Sequence, residues 1–136
     1  IMSQRHLLRP SQKRGQVAWM ITMMAIVPSP LFAESPAKVT FEDHIKPIFR
    51  NHCAKCHNPE DKNSDLDVMT FSSLIAGGAS GQVVTGGAPD ASRLFKLVAH
   101  TEEPKMPPDG GKIPDADIEL LKAWIAGGLL EKSDSK

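Results

Sequence analysis

The sequence predicts a small all-α domain with long loops. Apolar residues recur at helical spacing in separate stretches, no βαβ pattern is visible, and clusters of proline and glycine break the chain between the stretches. At 136 residues, 40% hydrophobic and 24% charged, the chain fits one compact domain and excludes a large multidomain enzyme.

The elements follow in order. Phe41, Ile45, Ile48, Phe49 and His52 share one helical face, with Thr40 placed to cap and Asp43 three residues on. Pro47 removes a backbone donor inside that stretch, so it predicts either a kink or a helix whose regular part begins near it. Residues 58–68 are polar, contain Pro59 and read as loop. Phe71 to Ala76 is a short helix stopped by Gly77-Gly78, and an irregular segment through Gly81, Gly86, Gly87 and Pro89 follows. Leu94, Leu97 and Val98 stripe a helix from about Ala91 to Ala99, capped by Asp90 or Ser92. Thr101 to Gly111 holds three prolines and two glycines in eleven residues, which excludes a regular element. The last helix opens at Pro114-Asp115, buries Ile118, Leu121, Trp124 and Ile125, and ends at Gly127-Gly128.

Charge divides the chain. Residues 1–33 hold four basic side chains and no acid, followed by the apolar run Val17 to Val27, two prolines and Ala33, which is the pattern of a signal peptide cleaved after Ala33. The alternative is an uncleaved anchor, but 17 residues from Val17 to Ala33 with two prolines fall short of the ~20 needed to span. Residues 34–136 carry 12 basic against 16 acidic side chains without a basic stripe, so no nucleic-acid partner is expected. The expected organisation is a signal peptide at 1–33, a flexible leader at 34–40, a domain at 41–130 and a tail at 131–136. It places the protein in the periplasm or otherwise outside the cytoplasm, with no stable membrane insertion once the leader is removed.

A domain of that size has a marginal core and long loops, so a large covalent cofactor would help it. Cys53-Ala54-Lys55-Cys56-His57 is the c-type haem attachment pattern. Two thiols about one helical turn apart reach the two vinyl groups of one porphyrin edge, and the adjacent imidazole becomes the proximal iron ligand. Three other readings compete. A thioredoxin-type pair wants a βαβ frame, a zinc site wants four ligands at finger spacing, and a disulfide closing so short a loop staples nothing distant.

For the sixth ligand the chain offers Met69, Met106, His44, His52 and His100. Met106 lies 49 residues beyond His57, inside Pro104-Lys105-Met106-Pro107-Pro108, where proline stiffens the loop that must hold a thioether against iron. Met69 reads as core filler beside Phe71. His44 and His52 read as hydrogen-bonded side chains on the first helix, and His100 as a cap that favours the helix C-terminus. Trp124 is expected between the terminal helix and the haem, with its indole N–H in reach of a propionate if it lies at the edge.

Phe41, Ile45, Pro47-Ile48, the Cys53 to His57 pentapeptide, Gly77-Gly78, Gly86 with Pro89, Ser92-Arg93-Leu94, Lys105 to Pro108 and the Leu121 to Ile125 helix with its Gly-Gly end resemble the planctomycete-type cytochrome c domain. That family is a divergent relative of class I cytochromes c. The resemblance implies a cytochrome c fold, N- and C-terminal helices that cross, and iron ligated by His57 and Met106. Domains of this family are often fused to larger enzymatic or propeller domains.

The expected function is one-electron transfer through a single covalent haem c, with an unidentified redox protein as partner. The alternatives are a haem enzyme or sensor with an open distal position, and an electron-entry subunit of a larger enzyme. Lys55, Lys105 and Lys112 are candidates to ring the exposed edge, with Glu102, Glu103 and Asp109 interleaved among them.

Overall fold

The computed structural model describes residues 38–135. The export segment expected at 1–33 and the leader through residue 37 lie outside the described residues.

Pro47 decides how the ordered chain opens. It cannot donate a backbone bond one turn back. A π-helical turn, Phe41–Ile45, therefore precedes α1, Lys46–His52, and Pro47 sits in the first turn of α1 where no donor is missed. Thr40 caps the start: its Oγ1 accepts from the Asp43 N–H at 3.4 Å and donates to Asp43 Oδ2 at 2.9 Å. Of the two outcomes expected of Pro47, a helix that becomes regular near it is the one realised. Phe41, Ile45, Ile48 and Phe49 are all buried by this arrangement.

The short helices α2, Phe71–Ala76, and α3, Arg93–Val98, stand between loops, and α4, Asp115–Ala126, closes the fold. Pro114 precedes α4, and Asp115 and Asp117 place negative charge in its first turn, where the helix dipole favours it. Ile118, Leu121, Trp124 and Ile125 are buried as their spacing predicts. The opening helical turn packs on α4. The Phe41 ring lies 6.0 Å from Trp124, 6.2 Å from Phe49 and 5.7 Å from Phe71, a cluster of tilted and edge-on contacts. Backbone bonds join the two ends of the domain: Phe41 N–H donates to Leu130 O at 2.8 Å, and Glu42 N–H to Glu131 O at 3.1 Å.

Two expectations need correction. Ser92 sits at the start of α3 but makes no side-chain cap bond. Its Oγ accepts from the Thr85 N–H and donates to Ala88 O, each at 2.9 Å, because this buried hydroxyl is the partner available to the irregular segment that precedes α3. That segment includes a 3₁₀ turn, Pro89–Ala91, so α3 is shorter than the expected helix from about Ala91 to Ala99.

Gly77 stops α2 with φ +84°, and a Cβ there would stand 2.2 Å from Gly81 O; a Cβ on Gly78 would stand 2.6 Å from Ser64 O in the 63–66 loop. Only glycine permits this approach. Among the described residues there are isolated β-bridges, His57 with Lys62 and Gly78 with Gly81, but no sheet. No helix among them is long and apolar enough to cross a membrane.

Candidate functional site

The pentapeptide is wound at the end of α1. Cys53 N–H donates to Phe49 O, and the Cys56 and His57 N–H groups both donate to Cys53 O, at 3.1 and 3.0 Å. The turn continues into the loop through Asn63 N–H to Cys56 O and Val68 N–H to His57 O, and the Asn58 side chain donates back to Ala54 O at 2.7 Å. This winding brings Cys53, Cys56 and His57 onto one wall of a cavity of about 240 Å³.

The rest of the lining comes from sequence far away. Leu94, Leu97 and Val98 of α3, Met106 with Pro104, Pro107 and Pro108, and Ile113 complete it, while Leu66, Val68 and Val83 add further apolar surface. Met106 is half-buried and packs against the main core. The peptides before Pro104 and Pro107 are both cis. Polar groups are few at the cavity: Lys55, Arg93, Asp109, Ser64 and Ser80 line it with His52.

Whether this wall suits haem c is decided by its own side chains. Both cysteines are free thiols rather than a disulfide. Burial pushes the Cys53 thiol up to about 11, the opposite of the lowered value a thioredoxin-type nucleophile needs. The Nδ1 of His57 is buried with no hydrogen-bond partner, a costly state for a ring nitrogen unless something else engages the imidazole. Among the described residues no three His, Cys, Asp or Glu side chains gather as a metal-ion site, so the zinc alternative lacks its ligands. Two thiols, an under-satisfied imidazole and an apolar cavity fit a covalently bound haem.

The other candidates are placed elsewhere. Met69 packs on the core, its N–H donating to Asp67 Oδ1, and does not line the cavity. His44 Nδ1 accepts from the Thr40 N–H at 3.1 Å. His52 reaches Asp117 on α4, Nε2 to Oδ2 3.3 Å, and so links the first and last helices. Trp124 is fully buried away from the cavity, and its Nε1–H donates to Leu130 O at 2.9 Å; the fold spends that donor on joining its ends, which corrects the expectation of a propionate contact. His100 does more than cap: its Nε2 lies 3.0 Å from Met106 O. Of the residues expected to ring the edge, Lys55 and Asp109 line the cavity, whereas Lys105 pairs with Glu103 and Lys112 with Asp115. Arg93 and the His52 to Asp117 link were missed, since each depends on chain segments that meet only after folding.

An all-helical domain with a CxxCH turn lining an apolar cavity has the features of a small c-type cytochrome fold. The family model for planctomycete cytochrome c matches residues 53–110, from the first cysteine through the Met106 loop. Comparison with curated proteins returns no match, and neither does comparison with solved structures. Cys53 and Cys56 match a single covalent attachment site for haem c, with His57 as the residue that would ligate its iron, and the family match supports an electron-transfer role.

Proposed function

We propose that this protein is an exported electron carrier in which Met106 is the second axial ligand, and that it exchanges electrons with a redox protein. The observation that carries this reading is that Met106 and His57, 49 residues apart in sequence, line the same cavity while Met69 does not. When bound, haem c takes up and releases one electron at its iron. The chain's own residues determine the setting: Cys53 and Cys56 hold the group, His57 and Met106 set its potential, and Leu94, Leu97, Val98 and Ile113 exclude water from it. A proline-flanked loop loses little further entropy when held in place, so a weak thioether bond can persist in both oxidation states. Small rearrangement on electron exchange is what a carrier requires. Export is supported by the basic and apolar N-terminal pattern ending at Ala33 and by a cofactor of the kind attached outside the cytoplasm.

Met106→Ala tests the ligand assignment. It should abolish the weak long-wavelength sulfur-to-ferric-iron band, lower the potential, and let carbon monoxide bind the ferrous protein. Met69→Ala should do none of these. A native ferrous protein that binds carbon monoxide readily, or a band that survives Met106→Ala, would instead favour the open-site enzyme or sensor.

A further inference from the structure

The end of α3 is built in a way that its own termination does not require. Thr101 N–H donates to Lys96 O at 2.9 Å and His100 N–H to Leu97 O at 3.3 Å, the paired bonds of a Schellman stop. The first residue past the helix cap must be left-handed, and that residue is His100, with φ +61°. Glycine takes that conformation without steric cost, whereas a histidine pays for its Cβ. What the histidine adds is its side chain. Nε2 lies 3.0 Å from the Met106 carbonyl oxygen. That oxygen only accepts, so Nε2 carries the proton and donates. The Met106 N–H in turn donates to Leu97 O at 3.1 Å. Both backbone polar groups of Met106 are therefore tied to the end of α3, the helix whose Leu94, Leu97 and Val98 form the cavity wall. His100 itself does not line the cavity.

We propose that His100 is a positioning residue for Met106: its side chain anchors the Met106 backbone to the last turn of α3 and so sets where the thioether is held. This rests on the reading of Met106 as the axial ligand. The two roles of His100 respond oppositely to substitution. His100→Gly relieves the left-handed backbone and removes the anchor, while His100→Asn tolerates the same backbone but is too short to reach Met106 O.

The test uses the haem-loaded protein and three measurements: the thermal midpoint, the sulfur-to-iron band, and the affinity of the ferric protein for added imidazole, which competes with the thioether. His100→Gly should show a midpoint no lower than the parent, a weakened band and imidazole binding about tenfold tighter, the size of one lost hydrogen bond. His100→Asn should show the same two ligand effects, and it decides the matter if the glycine variant does not fold. Band and imidazole affinity unchanged in these variants, but lost or altered in Met106→Ala, would overturn the positioning role alone. A band that survives Met106→Ala as well would mean that the ligand reading has failed, and the positioning role with it.

Discussion

Cys53 shows how position changes the chemistry of a residue type. A thiol raised to about 11 by burial carries almost no thiolate at neutral pH. In the folded domain a free Cys53 thiol would therefore be a poor nucleophile and a poor redox switch, whereas a thioether to haem leaves no thiol to ionise. The mature protein should have the mass of the polypeptide from Glu34 plus one haem after denaturation. Release of the haem by acid acetone would contradict covalent attachment. Cys53→Ala or Cys56→Ala should lower both haem retention and folded yield, because the core of a chain this size is marginal without its cofactor. Trp124 gives the complementary prediction. Trp124→Phe removes the Nε1 bond to Leu130 O and should cost about 1–2 kcal/mol. It should leave the haem spectrum unchanged, because Trp124 does not face the cavity; a shifted spectrum would put the indole back beside the haem.

The loops of this domain are held by particular bonds, and two of them can be tested as elements. Gly77 ends α2 at φ +84° with Gly81 O against it, and Gly78 packs on the 63–66 loop, so this turn sets the wall that carries Ser64, Leu66, Gly78 and Ser80. Gly77→Ala should destabilise the domain by roughly 1–3 kcal/mol, measurable by denaturant unfolding. An unchanged midpoint would show that the turn tolerates a Cβ. At the start of the Thr101–Gly111 loop, the Lys96 ammonium hydrogen-bonds the Glu102 carboxylate and holds it below the usual carboxylate range. A carboxyl lowered by folding stabilises above its unfolded value, and the contribution is lost as pH falls through the folded one. Glu102→Gln should therefore lower the unfolding midpoint slightly at pH 7, and the difference should vanish in acid. A difference that persists below pH 3 would assign it to something other than this ion pair.

At the scale of the molecule, the two ends of the domain close on each other. Phe41 and Glu42 bond to Leu130 O and Glu131 O, Trp124 bonds to Leu130 O, and His52 reaches Asp117. Residues beyond α4 that look uninformative in sequence are thus part of the seam. Stopping the chain after Gly128 should remove the Leu130 and Glu131 acceptors and lower the thermal midpoint by more than Trp124→Phe does. For the segment before the domain, sequencing protein recovered from the periplasm should give a start at or near Glu34. An intact Trp19 peptide in washed membranes would show instead that the segment anchors the protein.

Much of this was legible in the linear chain. The haem pentapeptide, the helices of residues 71–76 and 115–126, their glycine stops and the proline-rich loop all depend on interactions within a few residues, where spacing and backbone chemistry suffice. Pro47 belongs with them, since a missing N–H acts on its own turn. What only the tertiary structure decided depends on groups distant in sequence. Ser92 and Trp124 have side chains whose partners lie outside their helices, and neither periodicity nor capping rules name those partners. His100 looked like a helix cap because its place at the end of α3 is visible locally, whereas its bond to Met106 O exists only once the loop folds back on that helix. The cavity shared by His57 and Met106 is of the same kind: each residue is conspicuous alone, but only packing across 49 residues brings both to one cavity.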